Sequence, residues 1–122
     1  MMYVNNNIDI PYMIYQTHKG DNDLIIEKME KLIKRGINIR SKNLVSRICE
    51  TNNIKLLTYL IGIKYKFDKL PIYICALEGH IQLLSILLQY QEYDLDWKDL
   101  ENKLIENGNQ NIIDFLKNEN YI

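Results

Sequence analysis

Residues 70–88 have the sequence Leu70-Pro71-Ile72-Tyr73-Ile74-Cys75-Ala76-Leu77-Glu78-Gly79-His80-Ile81-Gln82-Leu83-Leu84-Ser85-Ile86-Leu87-Leu88, and this stretch decides the fold. It predicts two short helices joined by a tight turn. Pro71 suits the first turn of a helix, because the N–H group that proline lacks has no helical partner there. Gly79 is expected to end the first helix, since glycine enters the left-handed conformation without a Cβ clash.

Both predicted helices carry apolar side chains at helical spacing. Ile72, Cys75 and Ala76 form the stripe of the first helix, and the second stripe consists of Leu83, Leu84, Leu87 and Leu88. Two short helices with such broad apolar faces cannot bury them against each other alone. The pair is therefore expected to need similar pairs on either side.

Similar segments occur elsewhere in the chain at a nearly constant spacing. Three matches carry the repeat: residues 48–61 with 75–88, residues 108–116 with 79–87, and residues 20–25 with 79–84. The first two offsets are 27 and 29 residues, and the third is 59, about two repeats. A fixed period between 20 and 50 residues is typical of a solenoid.

These residues resemble the ankyrin repeat, whose pattern begins T-P-L-H-x-A in a unit of about 33 residues. The counterpart here is residues 70–76 followed by Gly79-His80, and residues 36–43 are similar to the Gly-Ala-Asp-Ile/Val-Asn loop of the family. Tyr73 stands in place of the family histidine and Asn52 in place of the glycine. Together with Ile39-Arg40-Ser41, the Asn-, Ile-, Lys- and Tyr-rich composition most resembles the short divergent ankyrin-repeat proteins of giant DNA viruses.

The expected fold is all-α: an ankyrin-type solenoid of about four helix-turn-helix repeats with extended connector loops. Residues 1–10 are expected to form a polar lead-in, and residues 11–122 a single domain. Its units are expected at about 11–40, 41–68, 69–96 and 97–122. An irregular helical bundle is the alternative fold.

The composition narrows the classes of partner and the compartment. Fifteen basic and sixteen acidic residues give a net charge of −1, so no overall field attracts nucleic acid or an anionic membrane. Residues 1–7 lack the pattern of a secretory signal, and no apolar stretch is long enough to cross a membrane. The two cysteines are expected to stay reduced, which favours the cytoplasm (the host cytoplasm for a viral protein) or the nucleus.

No catalytic, cofactor or metal site is expected, so the chain is not predicted to be an enzyme. His18 and His80 offer a metal pair or a general base, but a turn role is preferred for His80, in which it hydrogen-bonds neighbouring backbone. Cys49 and Cys75 fall on core positions of adjacent repeats. A metal site would need about four ligands, so buried small hydrophobic residues are the preferred interpretation.

The resemblance implies a non-catalytic module that binds another protein. Its contact positions fall in the connectors and near the ends of the first helices, at Arg40, Lys42, Glu50, Thr51, Lys64, Lys66, Asp68, Leu77, Glu78, Tyr93 and Asp94. Leu77 is expected to be exposed and to act as an apolar anchor. Tyr65, Tyr90 and Tyr93 lie in or beside connectors, where tyrosine either binds a partner or packs the loop down.

A second function of another class stays open at this point. Four units without a clear N-terminal cap could instead complete their core against another chain. The protein would then be a structural or homo-oligomeric subunit, for example of a viral particle.

Overall fold

The computed structural model describes residues 8–122, and within them every regular element is an α-helix, which confirms the all-α prediction. The eight helices are α1 (Ile10–Thr17), α2 (Asn22–Lys34), α3 (Lys42–Glu50), α4 (Ile54–Gly62), α5 (Leu70–Glu78), α6 (Ile81–Tyr90), α7 (Trp97–Glu106) and α8 (Gln110–Asn118). Short turns join the helices of each successive pair, and longer connectors join one pair to the next.

Polar side chains fix where several helices begin. The carboxylate of Asp21 accepts a hydrogen bond from the backbone N–H of Leu24, and Asp96 accepts from Asp99 in the same way. Asn53 caps α4 with its side-chain oxygen. Each of these groups satisfies a backbone N–H that has no partner inside its own helix, which is why such residues specify helix starts.

Six helices end with the same backbone device. A residue with positive φ follows the helix, and the N–H of the next residue donates to the carbonyl five residues earlier, at 2.8–3.0 Å. The positive-φ residues are Gly36, Asn52, Lys64, Gly79, Gly108 and Asn120. This Schellman arrangement satisfies carbonyl groups that the helix end leaves open. It also explains why Asn52 can replace a glycine, because asparagine visits the left-handed region more readily than most residues.

The first of two compact units is Met1–Leu44, in which α1 packs against α2. Tyr15, Ile25 and Met29 are buried there. The predicted lead-in of residues 1–10 ends too late, because Asp9 caps α1 and Ile10 already belongs to it. Residues 1–7, including the polar Asn5–Asn7 run, lie outside the described residues.

The side chain of Asp9 connects two helix starts within this unit. One carboxylate oxygen accepts from the backbone N–H of Tyr12 at 3.0 Å, which caps α1. The other accepts from the Ser41 hydroxyl at 2.7 Å and from the Asn43 amide at 3.2 Å. Ser41 in turn accepts from the N–H of Leu44 and caps α3. The start of α1 and the start of α3 are thus held by one carboxylate.

The second compact unit is Val45–Ile122. Within it α5 packs against α6, and α7 against α8, so both helices of each pair are in contact. In addition α4 contacts α6, and α5 contacts α7. Leu57, Leu84 and Ile113, which occupy equivalent places in the sequence repeat, are all buried. Successive pairs in this unit therefore pack through equivalent helices.

The connector between α4 and α5 forms no strand, although apolar and charged residues alternate along it. Tyr65 and Phe67 point inward, and their rings lie 4.9 Å apart between centroids. The side-chain amide of Gln91 pairs with both the N–H and the carbonyl of Phe67. The Tyr90 hydroxyl donates to the carbonyl of Tyr65 at 2.7 Å. The loop is consequently fixed by side chains from the end of the following helix pair.

Near the C-terminus, Tyr121 packs against the last helix pair. Tyr121 stacks on Trp97 with ring centroids 5.3 Å apart and an interplanar angle of 19°. Its N–H donates to the carbonyl of Leu116, which closes the end of α8. The aromatic pair covers part of the last helix pair with apolar surface.

Candidate protein-interaction site

Most of the contact positions predicted from the sequence are exposed. They are Arg40, Lys42, Glu50, Thr51, Lys64, Lys66, Asp68, Glu78 and Asp94. The first two belong to the unit Met1–Leu44 and the others to the unit Val45–Ile122. Their side chains are accessible to a partner, and their role in binding stays a prediction.

The connector at residues 63–69 shows how the fold presents such side chains. Because Tyr65 and Phe67 are buried, the alternating residues Lys64, Lys66 and Asp68 face solvent. Lys64 lies in the left-handed region, with φ of 64°. The charged side chains therefore project from a backbone that its own aromatic residues hold in place.

In the turns α5–α6 and α7–α8, one side chain bonds to the backbone of the preceding helix pair. The Nε2 atom of His80 lies 3.1 Å from the carbonyl oxygen of Glu50, and the Asn109 amide donates to the carbonyl of Leu77 at 3.3 Å. Glu50 and Leu77 occupy the same repeat position, as do His80 and Asn109. The contact of His80 with backbone confirms the turn role preferred for it. These bonds fix the ends of α3 and α5 relative to the turns that follow.

Leu77 is less exposed than the sequence suggested. It is partly buried, and it belongs to a row of apolar side chains on the outer face of α5. We call this row the α5 stripe; it consists of Leu70, Tyr73, Ile74 and Leu77. Leu70 is 48% exposed and the other three are partly exposed. The predicted single anchor is therefore one member of a larger apolar surface.

Tyr93 differs from the expectation that it presents its side chain to a partner. Its hydroxyl is buried and has no hydrogen-bond partner within the described residues. Burial, together with the neighbouring thiol of Cys49, the phenol of Tyr90 and the thiol of Cys75, raises the pKa of Tyr93. These neighbours indicate that the ring packs its connector down toward the core, as Tyr65 and Tyr90 do.

Cys49 and Cys75 are both completely buried, in agreement with the interpretation as small core residues. A hydrogen bond with the Cys49 thiol, followed by burial, raises the pKa of the Cys75 thiol. A thiol that stays protonated is a poor nucleophile and a poor metal ligand. The pair therefore contributes to packing between the first helices of adjacent repeats.

The charges are distributed unevenly along the chain, which the overall net charge of −1 does not reveal. Residues 1–69 contain twelve basic and seven acidic residues, whereas residues 70–122 contain three basic and nine acidic ones. The acidic residues of the second part include Asp96 and Asp99 beside the α5 stripe. The hydroxyl of Tyr73 donates to the Asp99 carboxylate at 3.3 Å. Counting charges separately in each part of the chain would have found this asymmetry.

The part of the chain that the structure describes offers little for a metal site or a catalytic site. Residues 8–122 contain no group of three or more His, Cys, Asp or Glu side chains arranged to hold a metal ion. A cleft of about 350 Å³ lies where Gly79 and Ile81 face residues 108–112, and no titratable side chain lines it. Of the helices described, none is long and apolar enough to cross a bilayer.

Comparison with known proteins gives one relative. Over 100 residues the chain is 33% identical to the "Putative ankyrin repeat protein L66" of Acanthamoeba polyphaga mimivirus. The match covers 78% of this chain and 17% of the mimivirus protein, so the chain spans only a small part of that relative's length. No family model matches the sequence. No solved structure matches it either.

Proposed function

Because the chain belongs to the ankyrin-repeat proteins through its similarity to a viral member, we propose that it is a non-catalytic module that binds another protein. The observation that carries this proposal is that the residues that hold the backbone differ from the residues that face solvent. Buried leucines, left-handed turns and the bonds made by His80 and Asn109 hold the backbone. The exposed side chains at the helix ends and connectors take little part in that packing.

The architecture that goes with this function is a solenoid of about four repeats, in one domain over residues 11–122. Its support lies in the second unit, where α4 contacts α6 and α5 contacts α7, as expected when equivalent helices of neighbouring repeats lie side by side. The equivalent bonds from His80 to Glu50 and from Asn109 to Leu77 repeat the same relation. Similar repeats at about 11–40 and 41–68 would extend it toward the N-terminus.

The binding surface in this proposal comprises exposed connector residues and the outer faces of the first helices. Preorganised side chains on a rigid backbone bind with a small loss of conformational entropy, which is the advantage of such a scaffold. The partner is another protein, and for a viral chain a host protein in the cytoplasm is the proposed target. Nucleic acid and membrane are not proposed as partners, since the overall net charge is only −1.

The proposal is tested by capturing partners from the cells in which the protein is made, using the wild type and a surface variant. Glu50→Lys with Glu78→Lys alters two exposed positions near the helix ends, and Lys117→Glu is the matched control at an exposed position on α8. We expect a defined partner to be captured by the wild type and the control, and lost by the double variant. Equal capture by all three proteins would contradict this binding surface.

The second candidate function is a structural or homo-oligomeric subunit. It is favoured by apolar side chains at the start of the first unit, where Ile10 is 40% and Met13 53% exposed on α1. Another copy or another chain would bury them. Light scattering over a wide concentration range separates the two functions, because a monomer at every concentration favours the binding module and a defined oligomer favours the subunit.

A further inference from the structure

The α5 stripe lies on the side of its helix that faces away from the core. At 100° per residue, Leu70, Ile74 and Leu77 fall within an arc of about 60°, roughly opposite the buried residues Ile72, Cys75 and Ala76. An α-helix that lies at a surface normally carries polar residues on its outer face. Apolar residues on both faces of α5 are what a helix shows when another element covers its outer side.

The neighbouring repeats show that the stripe is not required by the fold. The positions of Ile74 and Leu77 are occupied in α3 by Arg47 and Glu50, which form an ion pair at 3.3 Å. In α7 they are occupied by Lys103 and Glu106. The same backbone position therefore accepts charged residues on both sides of α5. Packing at these positions therefore does not by itself require apolar side chains.

The border of the stripe is acidic. Asp99 is bonded to Tyr73, and burial together with the carboxylates of Asp99 and Asp96 raises the pKa of the Tyr73 hydroxyl. Glu78 follows the stripe directly, and neither it nor Glu106 forms an ion pair within residues 8–122. Two basic residues also lie near the stripe: Lys103 is paired with Asp99 at 3.7 Å, and the exposed Lys69 directly precedes Leu70 at the start of α5. The edge of this apolar surface therefore carries more acidic than basic residues.

We propose that the α5 stripe, resting on the protein-binding function proposed above, docks a basic amphipathic helix of the partner. The stripe extends over eight residues, about two helical turns or roughly 10 Å. An amphipathic helix with apolar side chains at i, i+3 or i+4, and i+7 matches that length and covers Leu70, Ile74 and Leu77. Lysine and arginine beside its apolar side chains would meet Asp96 and Glu78. Such charge matching raises the association rate and selects against acidic partners.

The test uses the full chain, labelled with nitrogen-15, and three synthetic peptides of about 18 residues, long enough for a helix to form. The first peptide is an amphipathic helix of leucine and lysine. The second, the glutamate twin, has every lysine replaced by glutamate. The third has the same composition as the first in scrambled order. Fluorescence anisotropy gives the affinity, and amide shifts give the location. We expect saturable binding of the first peptide, shifts concentrated on α5 and the start of α7, and weaker binding as salt rises.

Two variants of the protein test whether the peptide binds at the α5 stripe. Ile74→Arg with Leu77→Glu installs the pair that α3 already carries at these positions, so the fold is expected to persist, which circular dichroism checks. This variant should weaken binding of the leucine–lysine peptide about tenfold or more. Ile105→Ser is the matched control, since Ile105 is 60% exposed on α7 at a different repeat position. It should leave the affinity within about twofold of the wild type.

The outcomes separate this inference from the function on which it rests. Equal or tighter binding of the glutamate twin would overturn the basic partner and leave the binding module standing. If no peptide binds, or if the amide shifts lie away from α5, the docking site is overturned. The partner-capture experiment tests the general binding function independently. A dimer in sedimentation that disappears in the Ile74→Arg, Leu77→Glu variant would show that a second copy covers the stripe, and would also overturn it.

Discussion

The helix pairs α5–α6 and α7–α8 share the same backbone and differ in the side chains they present to solvent. Each pair has a glycine with positive φ at its turn, Gly79 and Gly108, and each follows it with a side chain bonded to the preceding pair, His80 and Asn109. On the outer face, however, α5 carries the apolar α5 stripe, whereas α7 carries Asp99, Lys103 and Glu106 at equivalent positions.

This difference separates the positions that make the fold from those that the fold leaves free to vary. The turn, the bond to the previous pair and the buried leucines must be repeated, because each pair depends on its neighbours for burial. The outer face can change from apolar to charged without affecting those contacts. Substitutions at the buried, turn and bonding positions test how far the two helix pairs are equivalent.

Truncating a buried side chain is expected to lower the free energy of unfolding most, and the two pairs offer equivalent positions for this test. Leu84 is fully buried on α6, which contacts both α4 and α5, whereas Ile113 lies on the terminal α8 and is 4% exposed. Leu84→Ala should lower the free energy of unfolding by about 2–5 kcal/mol, and Ile113→Ala by less within that range. Urea unfolding followed by circular dichroism measures both. A negligible loss for Leu84→Ala would mean that the repeat phase is wrong.

Glycine substitutions should show that the turns of both pairs need the left-handed conformation. Gly79→Ala and Gly108→Ala, at φ of 80° and 70°, should each lower the free energy of unfolding by about 1–2 kcal/mol. Gly62→Ala is the matched control, since Gly62 lies in α4 without positive φ and has open space around it. It should raise stability by about 0.5–1 kcal/mol. The same sign for all three substitutions would contradict the assigned turns.

Alkaline pH should distinguish the pairs through Cys75, because the equivalent residue of α7 is Leu104. The pKa of Cys75 is raised in the folded protein above its ordinary value of 9.0, so the folded thiol keeps its proton where the unfolded chain releases it. Its stabilising effect is complete below pH 9 and declines above it, by about 1.4 kcal/mol per pH unit.

The measurement is urea unfolding at several pH values between neutral and alkaline. Cys75→Ala should reduce the loss of stability above pH 9, although it also removes some packing at every pH. An identical pH dependence in the wild type and the variant would show that the thiol does not titrate on unfolding as inferred.

The smallest expected effect concerns the bonds from the turns to the preceding pairs. His80→Ala and Asn109→Ala should each lower the free energy of unfolding by about 0.5–1.5 kcal/mol. The loss should be smaller for Asn109, because its side-chain oxygen is buried without a partner among the described residues and its removal relieves that cost. A larger loss for Asn109→Ala than for His80→Ala would contradict this ranking.

The sequence predicted the helices well because their limits are encoded locally. Cap residues such as Asp21, Asn53 and Asp96 and left-handed residues such as Gly79 act within a few positions of themselves. Gly79, which was expected to end the first helix of residues 70–88, directly follows α5 and has positive φ.

What the sequence did not predict depends on contacts between distant residues. Tyr93 was expected at the surface, but its hydroxyl is buried near Cys49 and Cys75, which no local pattern indicates. Leu77 was expected to be exposed, but it is partly buried. The packing of Tyr121 on Trp97 likewise joins residues 24 positions apart.

The carboxylate of Asp9 has a consequence for any shortened version of the protein. A chain beginning at Pro11 would lose the group that starts α1, and with it the acceptor for Ser41 and Asn43. Removing ten residues from one end would therefore loosen a loop more than thirty positions away. Trimming before residue 8 and trimming after residue 9 should consequently give proteins of clearly different heat resistance.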